Sequence, residues 1–594
     1  MYCIRCGAVN RDGARFCVQC GAPLTQVVAA PQERRPVVER RRPSRWRHWL
    51  IIGGLTALLL ALLCVAVLVA AYFWLGFNRS NQTAEMVSAD TPILLSFSPD
   101  PRQAIHFRSA ESAASALEVF GAVPGLRNLG EAFSDEFLQG LDVSFQEDIL
   151  PWIGPEAGLA IMDMDAGSGD VAPIILTAAT RNQDKSDAFL AKIRKGLEEE
   201  GATFAEETYN GVQIVYQVPD YEGELAPAFA TVKGLVMIGS NLEAVHQAIA
   251  TAGTKGTAKL VDEETYHRVM QRLPGNRLGY LYLSSESMLR DLEDVEASLG
   301  VGGVQAAGVS FGLASGGVRF DYAVSIDPKS LTTAQLKASE VAANRRQTAD
   351  LLPNDTILYL SGQDLSGTWD TTFAASAQMQ GIQETLDAIR SETGVDLADD
   401  VLARMTGEYA LALLPDSSGL FGDDGMPFGL ILIAQVVQPA ELKTSLDTLA
   451  GSLAEGGEVA LNQEEIGGTT FTLLQEPSGD MLALGYGVKD NLLIIGTSRK
   501  MLEAALKGKD QPLSSDETFR ATVSQLPGGA AYLFVDVEKA VRLVYEAMDE
   551  YARADFDEEI RPYVESLRGI GLSAQALDKE GISQGTLYLY VEQQ

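Results

Sequence analysis

From Leu50 to Leu75 the chain reads LIIGGLTALLLALLCVAVLVAAYFWL, 26 positions without one charged side chain. As a helix rising 1.5 Å per residue this run is about 39 Å long, enough to cross a hydrocarbon core of about 30 Å with some tilt. It therefore predicts one transmembrane helix over 49–77. Trp46 and Trp49 at one end, and Tyr72 and Trp74 at the other, suit the two interfaces. A cleavable signal peptide is the competing reading, but its apolar region covers about 7–15 residues behind a short charged leader. Neither condition is met.

Charge then orients the span. Arg34, Arg35, Arg40, Arg41, Arg42, Arg45 and Arg47 precede the run, while Arg79 stands alone just after it. Positive charge stays on the cytoplasmic side, so the expectation is a single-pass cell-membrane protein with its N-terminus cytoplasmic and everything past about Asn78 extracytoplasmic. Residues 1–49 hold ten arginines and three acids, a net of +7, and the remainder holds 36 basic against 77 acidic residues, a net of −41. So acidic an exterior repels nucleic acid and anionic lipid. No nucleic-acid partner is expected for the outer domain. Pro31, Pro36 and Pro43 interrupt the basic tract at 25–48, which reads as an extended cytoplasmic linker. Its arginines can also meet anionic headgroups, and Cys64 is most simply an apolar filler within the run.

Four of the five cysteines, Cys3, Cys6, Cys17 and Cys20, form two Cys-x-x-Cys pairs ten residues apart. Four thiolates so spaced can close on one tetrahedral ion at about 2.3 Å each. Gly7 and Gly21 follow the pairs, where a residue free to take φ > 0 lets the backbone turn and aim N–H groups at sulfur. Structural Zn²⁺ is the expected cofactor. Two disulfides, or an iron site on the same thiolates, are the rivals, and a reducing compartment disfavours the first. Arg5, Arg11 and Arg15 can contact phosphate or simply form a solvated basic surface. The segments CIRCG and CVQCGAPL, with Gly13 and Phe16 between them, resemble the short zinc ribbons at the N-termini of many bacterial membrane proteins. The resemblance implies a metal-dependent ribbon over 1–24 and no particular activity.

Beyond the apolar run the chain is similar to itself. DEETYHRVMQRLPGNRLGYLYLSSES at 262–287 matches SDETFRATVSQLPGGAAYLFVDVEK at 515–539, an offset of 252 to 253 residues. ADTPILLSFS at 89 recurs as NDTILYLSGQ at 354, GLDVSFQEDILPWIG at 140 as GVDLADDVLARMTG at 394, and AGVSFGLAS at 307 as IGLSAQALD at 570. Two tandem copies are expected, 88–328 and 350–594, joined by a linking helix over 329–349. Each reads as α+β. A helix is expected at DKSDAFLAKIRKGLEEEG, with Asp184 as cap, Leu190, Ile193 and Leu197 as its apolar stripe and Gly201 at its end. Strands are expected at PIILTAAT, VQIVYQV, LVMIGS and LGYLYLS, and at FGLILIAQV, TFTLL, NLLIIG, AAYLFVDV and GTLYLYV. Several follow one another without a helix between, which favours antiparallel sheets with helices on one face over a parallel Rossmann-type sheet. ADTPILLSF, GLDVSFQEDILPWIG, the YNGVQIV strand and the LPG-then-strand turn resemble the bacterial family known as domain of unknown function 3352. That resemblance covers nearly all of 88–594 and implies no catalytic or ligand residue.

The sequence offers little catalytic chemistry. His48, His106, His246 and His267 show no metal-ligand or catalytic spacing, and the latter two are expected to pack in helices. GVSFG at 308–312 matches Gly-x-Ser-x-Gly around Ser310. A nucleophile elbow requires a strand–turn–helix context and a histidine later in the chain, and no histidine follows His267. Acidic loops at 162–170 (Asp163, Asp165, Asp170) and 415–425 lack the spacing of a Ca²⁺ loop and read as solvated hairpin loops. Asn78-Arg79-Ser80 and Asn81-Gln82-Thr83 are glycosylation-type sequons. The expected protein is a non-enzymatic envelope protein: a cytoplasmic zinc ribbon, one membrane helix, and a duplicated outer domain that binds or scaffolds a protein or envelope ligand. A groove between the copies is the expected ligand seat. A carboxylate-based envelope enzyme or accessory, and a transmembrane sensor signalling through the ribbon, are the alternatives.

Overall fold

The computed structural model describes residues 2–24, 81–98, 143–284 and 303–591, apart from positions 4, 12, 332, 339 and 458 and the stretches 165–170, 222–223, 254–256, 373–378, 418–426 and 477–481. Among the described residues no helix is long and apolar enough to cross a membrane. Leu50–Leu75, with the expected span 49–77 and the linker 25–48, lies outside them. The chain divides into two compact units, Met1–Ile52 and Gly53–Gln594.

The body, in the second unit, is a mixed helix and antiparallel-sheet structure. Its first half contains β1 (Ile93–Phe97), β2 (Ile153–Ile161), β3 (Ile174–Thr180), β4 (Phe204–Tyr209), β5 (Val212–Gln217), β6 (Ala228–Val232), β7 (Leu235–Gly239), β8 (Gly279–Ser284), β9 (Val304–Ala314) and β10 (Gly317–Ile326). The second contains β11 (Leu358–Gln363), β12 (Glu408–Pro415), β13 (Phe428–Gln435), β14 (Ala460–Ile466), β15 (Thr469–Gln475), β16 (Leu482–Lys489), β17 (Leu492–Gly496), β18 (Ala531–Asp536), β19 (Leu567–Ala574) and β20 (Ile582–Val591). Every strand read from the sequence is present. Turn chemistry closes the hairpins: Asn210-Gly211 between β4 and β5, and Gly467-Gly468 between β14 and β15, hold φ > 0 at both central positions. This is the two-residue turn whose twist matches its strands.

In space the first half runs β4-β5-β6-β7-β3-β2-β1-β8-β9-β10. The second runs β14-β15-β16-β17-β13-β12-β11-β18-β19-β20, the same order position for position. β10 and β20 pair antiparallel from Gly317↔Tyr590 to Ser325↔Ile582, making one 20-stranded sheet. At the centre of that ladder Asp321 faces Thr586, whose hydroxyl donates to the Asp321 carboxylate at 2.6 Å.

Helices cover both faces, a correction to the one-faced packing expected. α1 (Gln183–Glu199) seats Phe189 and Ile193 against Leu176 and Ala178, while α2 (Leu242–Gly253) and α3 (Glu264–Arg272) pack with Ile175. Successive residues of a strand point to opposite faces, so β3 is buried on both. The second half repeats this with α4 (Pro439–Glu455) on one side, and with α5 (Arg499–Lys507) and α6 (Glu517–Val523) in its main core. α1 is capped by Asn182, whose side chain accepts the Lys185 N–H, rather than by Asp184. Among the described residues of the expected linking helix, α-helix covers Thr333–Ala338, and Arg346 takes a left-handed conformation before a short 3-10 turn at Gln347–Asp350.

Two details recur in both halves. A Cβ on Gly308 would lie 2.5 Å from Val269 of α3, and one on Gly571 would lie 2.6 Å from Thr522 of α6, so a bare backbone lets each helix approach its sheet. Among the described residues each half also buries one glutamate, Glu156 at 1% and Glu408 at 3% exposure. Thr83 donates its N–H (3.0 Å) and hydroxyl (3.2 Å) to Glu156, and Thr348 donates both at 2.7 Å to Glu408. Each carboxylate thus fastens the segment that enters its half. Removing it strands buried donors, at a cost of about 1–3 kcal/mol. Glu156→Ala and Glu408→Ala are expected to destabilise the protein by similar amounts in that range, read from denaturant midpoints. Gly308→Val is expected to cost about 1–3 kcal/mol by overpacking.

Candidate functional site

The N-terminal unit is built from two knuckles that repeat every 14 residues. Cys3 N–H donates to Ala8 O at 2.9 Å and Cys17 N–H to Ala22 O at 2.8 Å; Gly7 N–H reaches Cys3 O at 2.8 Å and Gly21 N–H reaches Cys17 O at 2.9 Å. Tyr2 bridges Val9, and Phe16 bridges Pro23. Gly7 and Gly21 take φ of 74° and 67°, the left-handed geometry that closes each knuckle.

This geometry gathers the four sequence-predicted ligands, Cys3, Cys6, Cys17 and Cys20, with all four sulfurs within 4.8 Å of one another. Cys3 and Cys20 Sγ are 3.7 Å apart, and Cys6 and Cys17 Sγ are 3.6 Å apart. A tetrahedral ion with bonds of about 2.3 Å has sulfur–sulfur edges of about 3.8 Å, whereas a disulfide needs about 2.05 Å. The donor set fits a tetrahedral thiolate ion, and all four cysteines are free thiols.

The sequence reading missed Asn10. Its side chain is buried, at 6% exposure, and is fixed by donation to Ala8 O (2.8 Å) and acceptance from Val18 N–H (2.8 Å). The amide also points at Cys17 Sγ, 3.6 Å away. A lone asparagine between knuckles carries no sequence signal, because only the fold brings it to the sulfur. The N–H groups of Cys20 and Gln19, and then the Asn10 amide, bring the Cys17 thiol down to about 6. Cys6 accepts the Ala8 N–H, which pulls it down, yet Cys20 and the other neighbouring sulfurs push it up to about 12. Cys6 thus resists ionisation at neutral pH, and a cation bound among the four sulfurs would supply the missing compensation.

Among the described residues the body brings none of the weighed catalytic residues into a constellation; His48 and His106 lie outside them. Ser310 lies mid-strand in β9, buried and paired across to Asp321 and Tyr280. That is not an elbow. His246 on α2 is paired with Glu207 and stacks on Tyr209 with ring centroids 4.2 Å apart; His267 is exposed on α3. Neither is simple core packing. Asp416, expected in a solvated loop, is buried and accepts the Ser498 hydroxyl at 2.5 Å; Asp165 and Asp170 lie outside the described residues. The junction of the halves holds a cavity of about 200 Å³ beside Arg319, Asp321 and Gln525, smaller than ordinary ligand pockets. A groove of about 1060 Å³ lies instead within the first half, beside Asp90, Asp163, Glu263 and Asp327.

A family model described as a protein of unknown function (DUF3352) matches residues 54–591. The chain belongs to that family. A zinc-ribbon domain model matches residues 2–24. Two solved structures, crystal forms I and III of TP0453, are each 7% identical to this DUF3352 chain with a TM-score of 0.23. They cover 45% and 44% of it, and 89% and 87% of their own chains. That likeness supports no inference. No curated protein matches the chain.

Asn10→Ala is expected to weaken metal binding by about ten- to a hundredfold, the usual effect of removing a group that orients a ligand. Competition with a chromophoric chelator, using Co²⁺ as the probe, measures it.

Proposed function

We propose that this protein is a single-pass, membrane-anchored envelope protein with a structural zinc ribbon on the cytoplasmic side and a duplicated, non-enzymatic binding or scaffolding body outside. The observation that carries the reading is the position-for-position recurrence of the ten-strand order in the body. The recurrence includes matching entry clamps at Thr83–Glu156 and Thr348–Glu408. Two copies of one domain, approximately 88–328 and 350–594, account for it, with β10 and β20 as equivalent strands related by a local twofold through Asp321 and Thr586.

Zinc follows from thiolate chemistry and the sulfur–sulfur spacing. The anchoring follows from the charge-free run Leu50–Leu75 and the arginines before it. Free thiols at the front suit a reducing side, and the body, with a net of −41 after residue 49, suits an exterior facing neither nucleic acid nor anionic lipid. Binding rather than catalysis is favoured because Ser310 and the histidines join no acid–base–nucleophile arrangement among the described residues.

Topology is the test. In intact cells a membrane-impermeant biotinylating reagent is expected to modify body lysines such as Lys195 and Lys507, which lie on exposed helix faces. A membrane-impermeant maleimide, applied with a membrane-impermeant chelator, is expected to leave Cys6 and Cys20 unmodified until the cells are opened. The reverse pattern overturns the reading.

A further inference from the structure

The second half of the body supplies a cation of its own at a place where the first half carries none in its sequence. Lys539 sits in the first turn of α7 (Val537–Ala547), directly after β18. Its ammonium donates to Asn354 O at 2.6 Å and lies 3.2 Å from the Asp516 carboxylate and 2.9 Å from that of Asp536. Three acceptors around three N–H donors make a cradle shaped for a primary ammonium.

The backbone around that cradle recurs in the first half, bond for bond. Asn354 N–H reaches Gln511 O at 2.9 Å, as Ala89 N–H reaches Ala258 O at 3.1 Å; Leu513 N–H reaches Leu352 O at 2.8 Å, as Leu260 N–H reaches Val87 O at 3.1 Å. Asp536 N–H reaches Ile357 O at 2.8 Å, as Ser284 N–H reaches Pro92 O at 2.7 Å. Asp516 caps α6 through Phe519 N–H at 2.8 Å, as Glu263 caps α3 through Tyr266 N–H at 2.5 Å. Glu263 therefore stands where Asp516 does, Ser284 where Asp536 does, and the Ala89 carbonyl where that of Asn354 does. The residue 252 positions before Lys539 is Ser287. Ala89, Glu263 and Ser284 all line the groove of about 1060 Å³, together with Asp90, Asp163 and Asp327. Between the liners Asp90 and Pro92, Thr91 is fully buried with its hydroxyl unpartnered, whereas its counterpart Thr356 donates to Pro353 O at 2.7 Å.

We propose that the groove of the first half binds a small ligand carrying a primary ammonium, seated on the Glu263 carboxylate at the position that the Lys539 ammonium takes in the second half. The inference rests on the reading of the body as two copies. A volume near 1000 Å³ admits a ligand well beyond the amine itself, and the acidic lining selects cations over anions. The second copy, self-filled, becomes a structural partner, and the first keeps the binding role.

The test uses the full-length chain in detergent micelles with n-butylammonium as probe and tetramethylammonium, equal in charge but without N–H donors, as control. Saturable binding of n-butylammonium is expected by saturation-transfer NMR, weakened about tenfold or more in Glu263→Gln, in line with loss of a charged hydrogen bond. Glutamine can still cap α3, so this variant keeps its fold. No saturable binding, equal binding of tetramethylammonium, or unchanged binding in Glu263→Gln overturns the proposal. Lys539→Ala reads the correspondence of the halves separately: it is expected to lose thermal stability and to regain it with n-butylammonium. A rescued Lys539→Ala beside a wild-type groove that binds nothing sinks the groove proposal alone; failure of both sinks the two-copy reading with it.

Discussion

The antiparallel ladder between β10 and β20 is the interaction on which the body depends. Each half, ending at its tenth strand, has an edge of unpaired N–H and C=O groups, and an open edge of this length invites pairing with other chains. The halves satisfy each other's edge through residues 317–325 and 582–590. Side chains reinforce the join: Arg319 Nη2 donates to Thr586 Oγ1 at 3.4 Å, Tyr588 OH donates to Ser315 O at 2.7 Å, and Arg272 pairs with Asp578 at 2.7 Å. Among the described strands β4 and β14 are the edges that remain. They carry Glu206 and Glu207, and Glu464 and Glu465, charges that discourage further addition of strands.

That join also orders the rest of each half. Because the central strands are buried on both faces, their helices cannot slide without exposing apolar surface, and Gly308 and Gly571 remove the Cβ atoms that would hold α3 and α6 away. The buried glutamates extend this inward. Thr83, Ala84, Met86 and Val87 are all buried in the core, so the chain is gripped only a few residues after the apolar run ends at Leu75. Resemblance between the halves does not mean identity. Lys539 closes its cradle in one half, and the same backbone surrounds an acidic groove in the other.

The N-terminal unit obeys different physics. Twenty-four residues bury too little apolar surface to hold a fold, and Tyr2, Val9, Phe16 and Val18 are all exposed. Order comes from paired knuckle hydrogen bonds and from four sulfurs that an ion can bind together. Asn10 couples the two knuckles by touching Ala8 on one and Cys17 and Val18 on the other.

Much of this was legible in one dimension. Cysteine spacing named the ribbon's ligands because four sulfurs on two tight turns have few other uses, and alternating apolar residues bounded by Gly-rich turns located the strands. Self-similarity at an offset near 252 anticipated the recurrence of strand order, since equal patterns fold by equal local rules. Other features depended on contacts between residues far apart in the chain. Helices on both faces of β3, the capping role of Asn182, the amide of Asn10 at sulfur and the burial of Asp416 leave no mark in local sequence. The length of the apolar run, its flanking charge and the ligand spacing are properties of neighbours along the chain, and the sequence by itself determined them. Which edges pair, where a groove stays open and which lysine fills its counterpart were decided only by the tertiary structure, because strand pairing joins residues some 265 positions apart that no local pattern connects.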